Sequence, residues 1–331
     1  MEAPPTDELQ KISRRYRAFA DHEARGNSEA YYRLARAVAD DEDSLRLLLD
    51  LPDAKRQPNL VFACLRDHGV PNDAGEFKAL FAMHGPELVQ RILTRSTQTN
   101  EPARNAALYL ALSTVPRPIA LVELGTSAGL CVIPDFYRYR FDQRTFIPDT
   151  ASPDAPTLSC AVAGPAPAPR PDLGIAWRLG MDLSPIDLDD EASARWLETL
   201  VWPGQDERAG CLRGAIDLVR RVRPPLEAGD VMQDLARILD RVPPDLNLVI
   251  YHSAVVNYLP RADWKPFEAM ILATGATWIS MEDPRIFQHW VDAAGIDVPP
   301  GRFLLAKDRR PLAHVQPHGR DVVWLDSSPS T

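Results

Sequence analysis

The chain has 331 residues, 45% of them hydrophobic and 25% charged, with a net charge of −9. That is the composition of a globular protein with a sizeable core, in one large domain or two ordinary ones. The acidic balance argues against general binding to nucleic acid or to an anionic membrane, and no apolar run approaches the ~20 residues of a spanning helix.

The first 115 residues are expected to be helical throughout. Ile12, Tyr16, Phe19 and Ala20 form one stripe at helical spacing. Tyr31, Leu34, Ala35 and Val38 form another after the start signal Asn27-Ser28. Further helical patterns cover 43–51, 59–67, 76–84 and 86–94, and Asn100 is a candidate cap for a helix running through Tyr109. From Ile119 short apolar strands alternate with helical stretches, the sign of a mostly parallel α/β sheet. Strands are expected near 119–124, 174–182, 225–229, 246–251, 275–281, 302–306 and 320–325, the last two as an antiparallel hairpin. The Pro- and Ala-rich stretch 142–172 reads as an insertion, either a long loop or an excursion over the sheet edge. The expected division is therefore a helical cap over 1–115 and a sheet domain over 116–331.

Met1-Glu2-Ala3-Pro4-Pro5 lacks a basic and an apolar region, so no signal peptide is expected. Cys64, Cys131, Cys160 and Cys211 show no C-x-x-C spacing and fit free thiols in a reducing cytoplasm. Arg220, Arg221 and Arg223 cluster and are read as a solvated helix end. His314 and His318 are four apart, but Pro317 breaks a helical presentation, so no metal site is expected. There is no G-x-S-x-G elbow and no P-loop.

Four segments carry chemistry. In Ala120-Leu121-Val122-Glu123-Leu124-Gly125-Thr126-Ser127-Ala128-Gly129-Leu130 an apolar strand enters a small-residue turn and a helix start. Backbone amides there suit an anionic or polar ligand, and small side chains admit it closely. The glycines do not form G-x-G-x-x-G, which disfavours a nicotinamide cofactor. The acidic strand followed by G-T-S-A-G resembles the first motif of Rossmann-like S-adenosylmethionine methyltransferases. Next, Arg178 to Pro185 resembles that family's second strand end; Asp182 is either the ribose acceptor or the cap of the following turn. Then Pro225-Leu226-Glu227-Ala228-Gly229-Asp230-Val231-Met232 resembles the third strand end, where Asp230 and the Val231 amide meet adenine; Asp230 also suits an N-cap. Last, Asp245 to Leu259 resembles the fourth strand, beside the transferred methyl. His252 is a candidate general base or a structural histidine. Tyr251 and Tyr258 are candidates for a pocket wall, for cation–π contact with a sulfonium, or for plain core.

Further segments are similar to something narrower. These are Thr97-Gln98-Thr99-Asn100-Glu101 with Arg104, and Trp196-Leu197 and Val201 to Gln205 with Arg208. Together with E-L-G-T-S-A-G-L and Y-H-S-A-V-V-N-Y-L, they resemble an uncharacterised bacterial family, found largely in actinobacteria and known only as a domain of unknown function. The resemblance runs from Tyr16 to Trp324 and implies a methyltransferase-like fold with a helical cap. Cys131 stands where related sequences usually carry Asn. Gln98, Asn100 and Arg104 suit a polar lid over substrate, with Arg104 gripping a carboxylate, or else a helix cap and a surface ion pair. Trp202 and Arg208 suit a stacking wall with an anion clamp, or a buried tryptophan with a solvated arginine.

The expected function is methyl transfer from S-adenosylmethionine to a small-molecule acceptor. Glu123, Gly125, Thr126, Ser127, Gly129, Asp182, Asp230 and Val231 would hold the cofactor. His252 or Tyr251 would deprotonate or orient the acceptor. Gln98, Asn100, Arg104, Trp202, Arg208 and Tyr258 would face the substrate. Two alternatives stay open: the same fold using S-adenosylmethionine or another nucleoside without methylating, and a binding or scaffold protein without chemistry.

Overall fold

The computed structural model describes residues 6–98 and 100–326. Helices are α1 (Thr6–Phe19), α2 (Glu29–Asp40), α3 (Glu42–Leu49), α4 (Pro58–Leu65), α5 (Ala74–Thr94), α6 (Asn105–Leu112), α7 (Glu191–Thr199), α8 (Asp206–Val222), α9 (Val231–Leu239), α10 (Trp264–Ala273) and α11 (Gln288–Ala294). Strands are β1 (Ile119–Leu124), β2 (Arg138–Phe141), β3 (Arg144–Phe146), β4 (Thr157–Ala163), β5 (Ile175–Asp182), β6 (Leu226–Ala228), β7 (Asn247–Ser253), β8 (Thr277–Glu282), β9 (Phe303–Lys307), β10 (Arg310–Val315) and β11 (Asp321–Trp324). No helix among the described residues is long and apolar enough to cross a membrane.

Two compact units divide the chain. Among the described residues, the first holds 6–98 together with Ala194–Gly210, and the second holds 100–193 and 211–326. The expected boundary at 115 is thus moved. α6 belongs with the sheet, because all eight of its residues are buried there and Tyr109 packs on Tyr139 at 4.7 Å.

In the first unit three helices are capped by side chains at their N-termini. Ser28, Asp41 and Asp73 accept from the amides of Tyr31, Ser44 and Glu76, each satisfying an orphan donor at a helix start. Tyr16 and Tyr31 both meet Phe62 edge-on, at 5.7 and 5.2 Å, inside one apolar core. The segment 194–210 completes this unit. Trp202 lies 5.2 Å from Phe19 and 5.8 Å from Tyr31, and the Arg66 guanidinium donates to the Thr199 and Val201 carbonyls. α5 runs unbroken through Pro86, where two helices were expected. Its buried Phe77, Phe81, Leu88 and Ile92 share one face across the proline, so packing outweighs the one backbone hydrogen bond that proline removes.

The second unit is built on a mixed, mostly parallel sheet of order β3-β2-β4-β11-β10-β9-β8-β7-β1-β5-β6. β6, β5, β1, β7 and β8 are mutually parallel, and β9 runs antiparallel to β8. Every residue of β1 is buried, as a central strand covered on both faces requires. Chain order reverses at β1, with β5 on one side and β7 on the other, which is the switch point where open sheets bind ligands beyond their strand C-termini. In register, Glu123 lies between Gly180 and Tyr251, and Leu124 lies beside His252. One face, with Leu124, packs on Phe267, Trp278 and Trp290; Glu123 and Tyr251 point to the other.

Two expectations are corrected here. The 142–172 stretch is not only a loop: β3 and β4 extend the sheet, and Leu158 and Cys160 alternate inward along β4. The hairpin expected between the last two strands is replaced by a meander of β9, β10 and β11, because Arg310–Val315 pairs with both neighbours.

Candidate functional site

The turn after β1 is held from several directions. Gly125 and Thr126 donate their amides to the Met181 carbonyl at 2.8 and 3.1 Å, and Gly129 donates to Thr126 at 2.8 Å. The Ser127 amide donates to Asp182 Oδ2 at 2.8 Å, and the Ala128 amide to Asn100 Oδ1 at 3.2 Å. Asn100 Nδ2 also donates to Ser127 Oγ at 2.9 Å. Asp182 accepts on its other oxygen from the Ser184 amide at 2.8 Å. Asp182 therefore clasps the turns after β1 and β5, and Asn100 braces the first of them rather than capping a helix. No α-helix follows the turn: residues 126–133 run as turns and bends, with Ser127 and Gly129 at φ 50 and 76°. The expected helix start is corrected on that ground, and each amide from Gly125 to Gly129 already has an internal acceptor.

The glycines make room for the protein's own atoms. A Cβ on Gly125 would lie 2.2 Å from Val255 Cγ2, and one on Gly180 would lie 2.5 Å from Thr126 Oγ1. The space above Gly180 lets the Thr126 hydroxyl donate to Glu123 Oε2 at 2.7 Å. Glu123 is buried, and that desolvation pushes its pKa up to about 8, so it carries a proton at neutral pH. Burial also raises the Cys131 thiol and the Tyr251 phenol well above their ordinary values. Arg104, buried on the same side, donates Nε to Pro317 O at 2.8 Å and Nη1 to Ser253 O at 3.3 Å, and stacks 5.5 Å from Phe303. Those donors fasten the β10–β11 connection and the end of β7 where a grip on an external carboxylate was expected.

His252 is corrected as a general base. The Trp278 indole, which can only donate, gives its proton to His252 Nε2 at 2.8 Å. Nδ1 must then carry the imidazole proton and donate it to Glu282 Oε1 at 2.7 Å. The ring is wholly buried and packs edge-on against Phe267 at 5.2 Å. No nitrogen lone pair is left to receive a substrate proton. Glu282 Oε1 also accepts from the amides of Val255 and Val256, so this network fixes the chain leaving β7. Tyr251 is likewise sealed. Glu282 and Trp278 were not singled out from sequence; the acid ending a buried apolar strand, as in β1 and β5, was the available signal.

The open part of this edge lies elsewhere. Leu183, directly after Asp182, is 76% exposed, and Tyr258, after β7, is 71% exposed. Asp230 caps α9 through the Met232 amide at 2.8 Å, and Val231 is half-buried against the core. A cleft of about 350 Å³ is lined by Ala128, Ile186, Leu188, Val219, Arg220 and Leu226, with neither Asp182 nor Leu183 in its wall. Arg220 donates to Leu188 O and pairs with Glu191, and Arg223 pairs with Asp189, so these arginines serve their own unit. Gln98, Trp202 and Arg208 lie in the first unit. There Trp202 is half-buried against the core, Arg208 donates to Gln205 at 2.9 Å, and Gln98 is half-buried.

These elements make an α/β protein with a mixed, mostly parallel sheet and an N-terminal helical region. The chain belongs to DUF2332, a family of uncharacterised proteins conserved in bacteria, whose model matches residues 13–324. No curated protein matches it.

Proposed function

We propose that the second unit binds an adenosine-containing cofactor across the strand ends of β1, β5 and β6, and that the cofactor is S-adenosylmethionine, used to methylate a small molecule. Leu183 carries the reading. An exposed apolar side chain directly after a strand-end carboxylate offers a face for a base next to an acceptor for ribose hydroxyls. The oxygens of Asp182 each take one backbone amide and keep a second lone pair for a hydroxyl. Asp230 at the neighbouring strand end extends the acidic rim. Methyl transfer from a sulfonium asks mainly for alignment of donor and acceptor. It does not require His252, which is closed off, and Tyr258 remains as the exposed aromatic for a cation or acceptor.

A second reading rests on one observation. The amides from Gly125 to Gly129 are all engaged internally. That favours a site that grips base and ribose and leaves the rest of the ligand uncradled, as for a nucleoside used without methyl transfer. Calorimetric titration with S-adenosylmethionine, S-adenosylhomocysteine and adenosine separates the two, with Asp182→Ala alongside. Micromolar binding of both methionine-derived ligands, lost in the variant, supports the cofactor. Equal affinity for adenosine alone supports the second reading. A folded protein that binds none of the three contradicts both.

A further inference from the structure

In the first unit, His68 ends the short turn Arg66–His68 that follows α4, while His84 and Glu87 stand three residues apart on α5. The two imidazoles stack with centroids 4.1 Å apart and planes 21° apart. His68 Nε2 lies 4.0 Å from Glu87 Oε1, and one ligand atom from each of the three residues falls within 4.8 Å of the others. His68 Nε2 is buried and has no hydrogen-bond partner. A buried imidazole nitrogen left unsatisfied costs free energy, and nothing in the apolar packing of α4 on α5 calls for one. The histidines stand sixteen positions apart, so no spacing motif marks them in the sequence.

We propose that His68, His84 and Glu87 bind a divalent transition metal of the zinc class, with water in the remaining position. Two imidazoles and a carboxylate form a donor set suited to such an ion. Ligand bonds of about 2.0–2.2 Å need the donor atoms drawn together by roughly 1 Å. Glu87 can supply that movement, since its side chain is largely exposed, and a tilt of the His84 ring turns the parallel lone pairs toward one point. The place in the fold makes sense of the ion. Pro86 lies between the two α5 ligands and deprives the Ala82 carbonyl of its helical donor. A metal held by His84 and Glu87 would bracket that weak point and clip it to the end of α4, where Gly69 at φ 100° turns the chain.

The test uses the full chain, stripped with a chelator and titrated with Zn(II) by calorimetry and with Co(II) by visible absorption. His84→Asn and Glu87→Gln are measured alongside, with circular dichroism to establish that each is folded. The expected result is one equivalent per chain, a low-coordinate Co(II) spectrum, and a thermal midpoint raised by Zn(II). Affinity should fall at least about tenfold in His84→Asn and by a smaller factor in Glu87→Gln. Affinity unchanged in folded His84→Asn would overturn the assignment, as would the absence of saturable binding below about 100 µM in the parent chain.

Discussion

Two stretches of the same sheet edge treat their polar groups in opposite ways. At the ends of β7 and β8, His252, Trp278 and Glu282 are closed in: the histidine is wholly buried, and both its nitrogens are engaged. At the ends of β1 and β5, Asp182 and Asn100 hold main-chain amides of an edge that opens to solvent at Leu183. Both stretches carry the acid-after-apolar-strand pattern, yet only one can meet a ligand without first unfolding. Solvent access, rather than residue type, decides which polar cluster is a candidate site. The sealed one resembles a core network, whose value lies in having every donor satisfied.

Four perturbations sharpen or break this contrast, and the largest falls on the sealed side. Glu282→Ala strands the His252 Nδ1 proton and the amides of Val255 and Val256, and should cost about 3–5 kcal/mol in urea unfolding. A loss under about 1 kcal/mol would mean the network is looser than its geometry. Gly125→Ala should cost about 2–3 kcal/mol, since its Cβ meets Val255 and its φ is 70°. Adding Val255→Ala should recover part of that cost and leave the backbone strain. Full recovery would show that φ contributes nothing.

The third perturbation is pH. Glu123 has a pKa near 8 in the folded chain against an ordinary 4.5, so the folded state holds its proton more tightly than the unfolded state. Stability from this group is therefore fully present below the ordinary value, declines as pH rises toward 8, and levels off above it. Glu123→Gln, which keeps an acceptor for Thr126, should flatten the denaturation midpoint across that window and exceed the parent at pH 9, where the parent has lost the whole of this contribution. Parallel pH profiles for the two chains would refute the protonated state. The smallest stability effect is expected from Leu183→Ser, within about 0.5 kcal/mol, because the side chain is exposed. The same change should weaken S-adenosylhomocysteine binding about tenfold by calorimetry. Unchanged affinity would remove Leu183 from the site.

The legible parts of the fold are those with a local physical signature. β1 matches its expected bounds because six consecutive apolar or buried residues have no other stable home. Capped helices such as α2 were readable from Ser28 and the stripe behind it. β3 and β4 were hidden by the Pro- and Ala-rich stretch around them, and α5 looked divided because Pro86 outweighs, locally, a packing face that only the assembled core supplies. In the site, Glu123 and Asp182 were readable as acids at strand ends. The closure of His252 was not, because its partners stand 26 and 30 residues away. The occupied turn amides were also out of reach, since their acceptors on Asn100 and on Met181 and Asp182 come from two segments distant in sequence.

The most direct test of the contrast is amide hydrogen exchange with and without S-adenosylhomocysteine. Added protection is expected at Ser127 and Ser184, whose amides Asp182 holds, and none at Val255 and Val256, whose amides Glu282 already secures. Protection confined to Val255 and Val256, or absent from all four amides at saturating ligand, would contradict it.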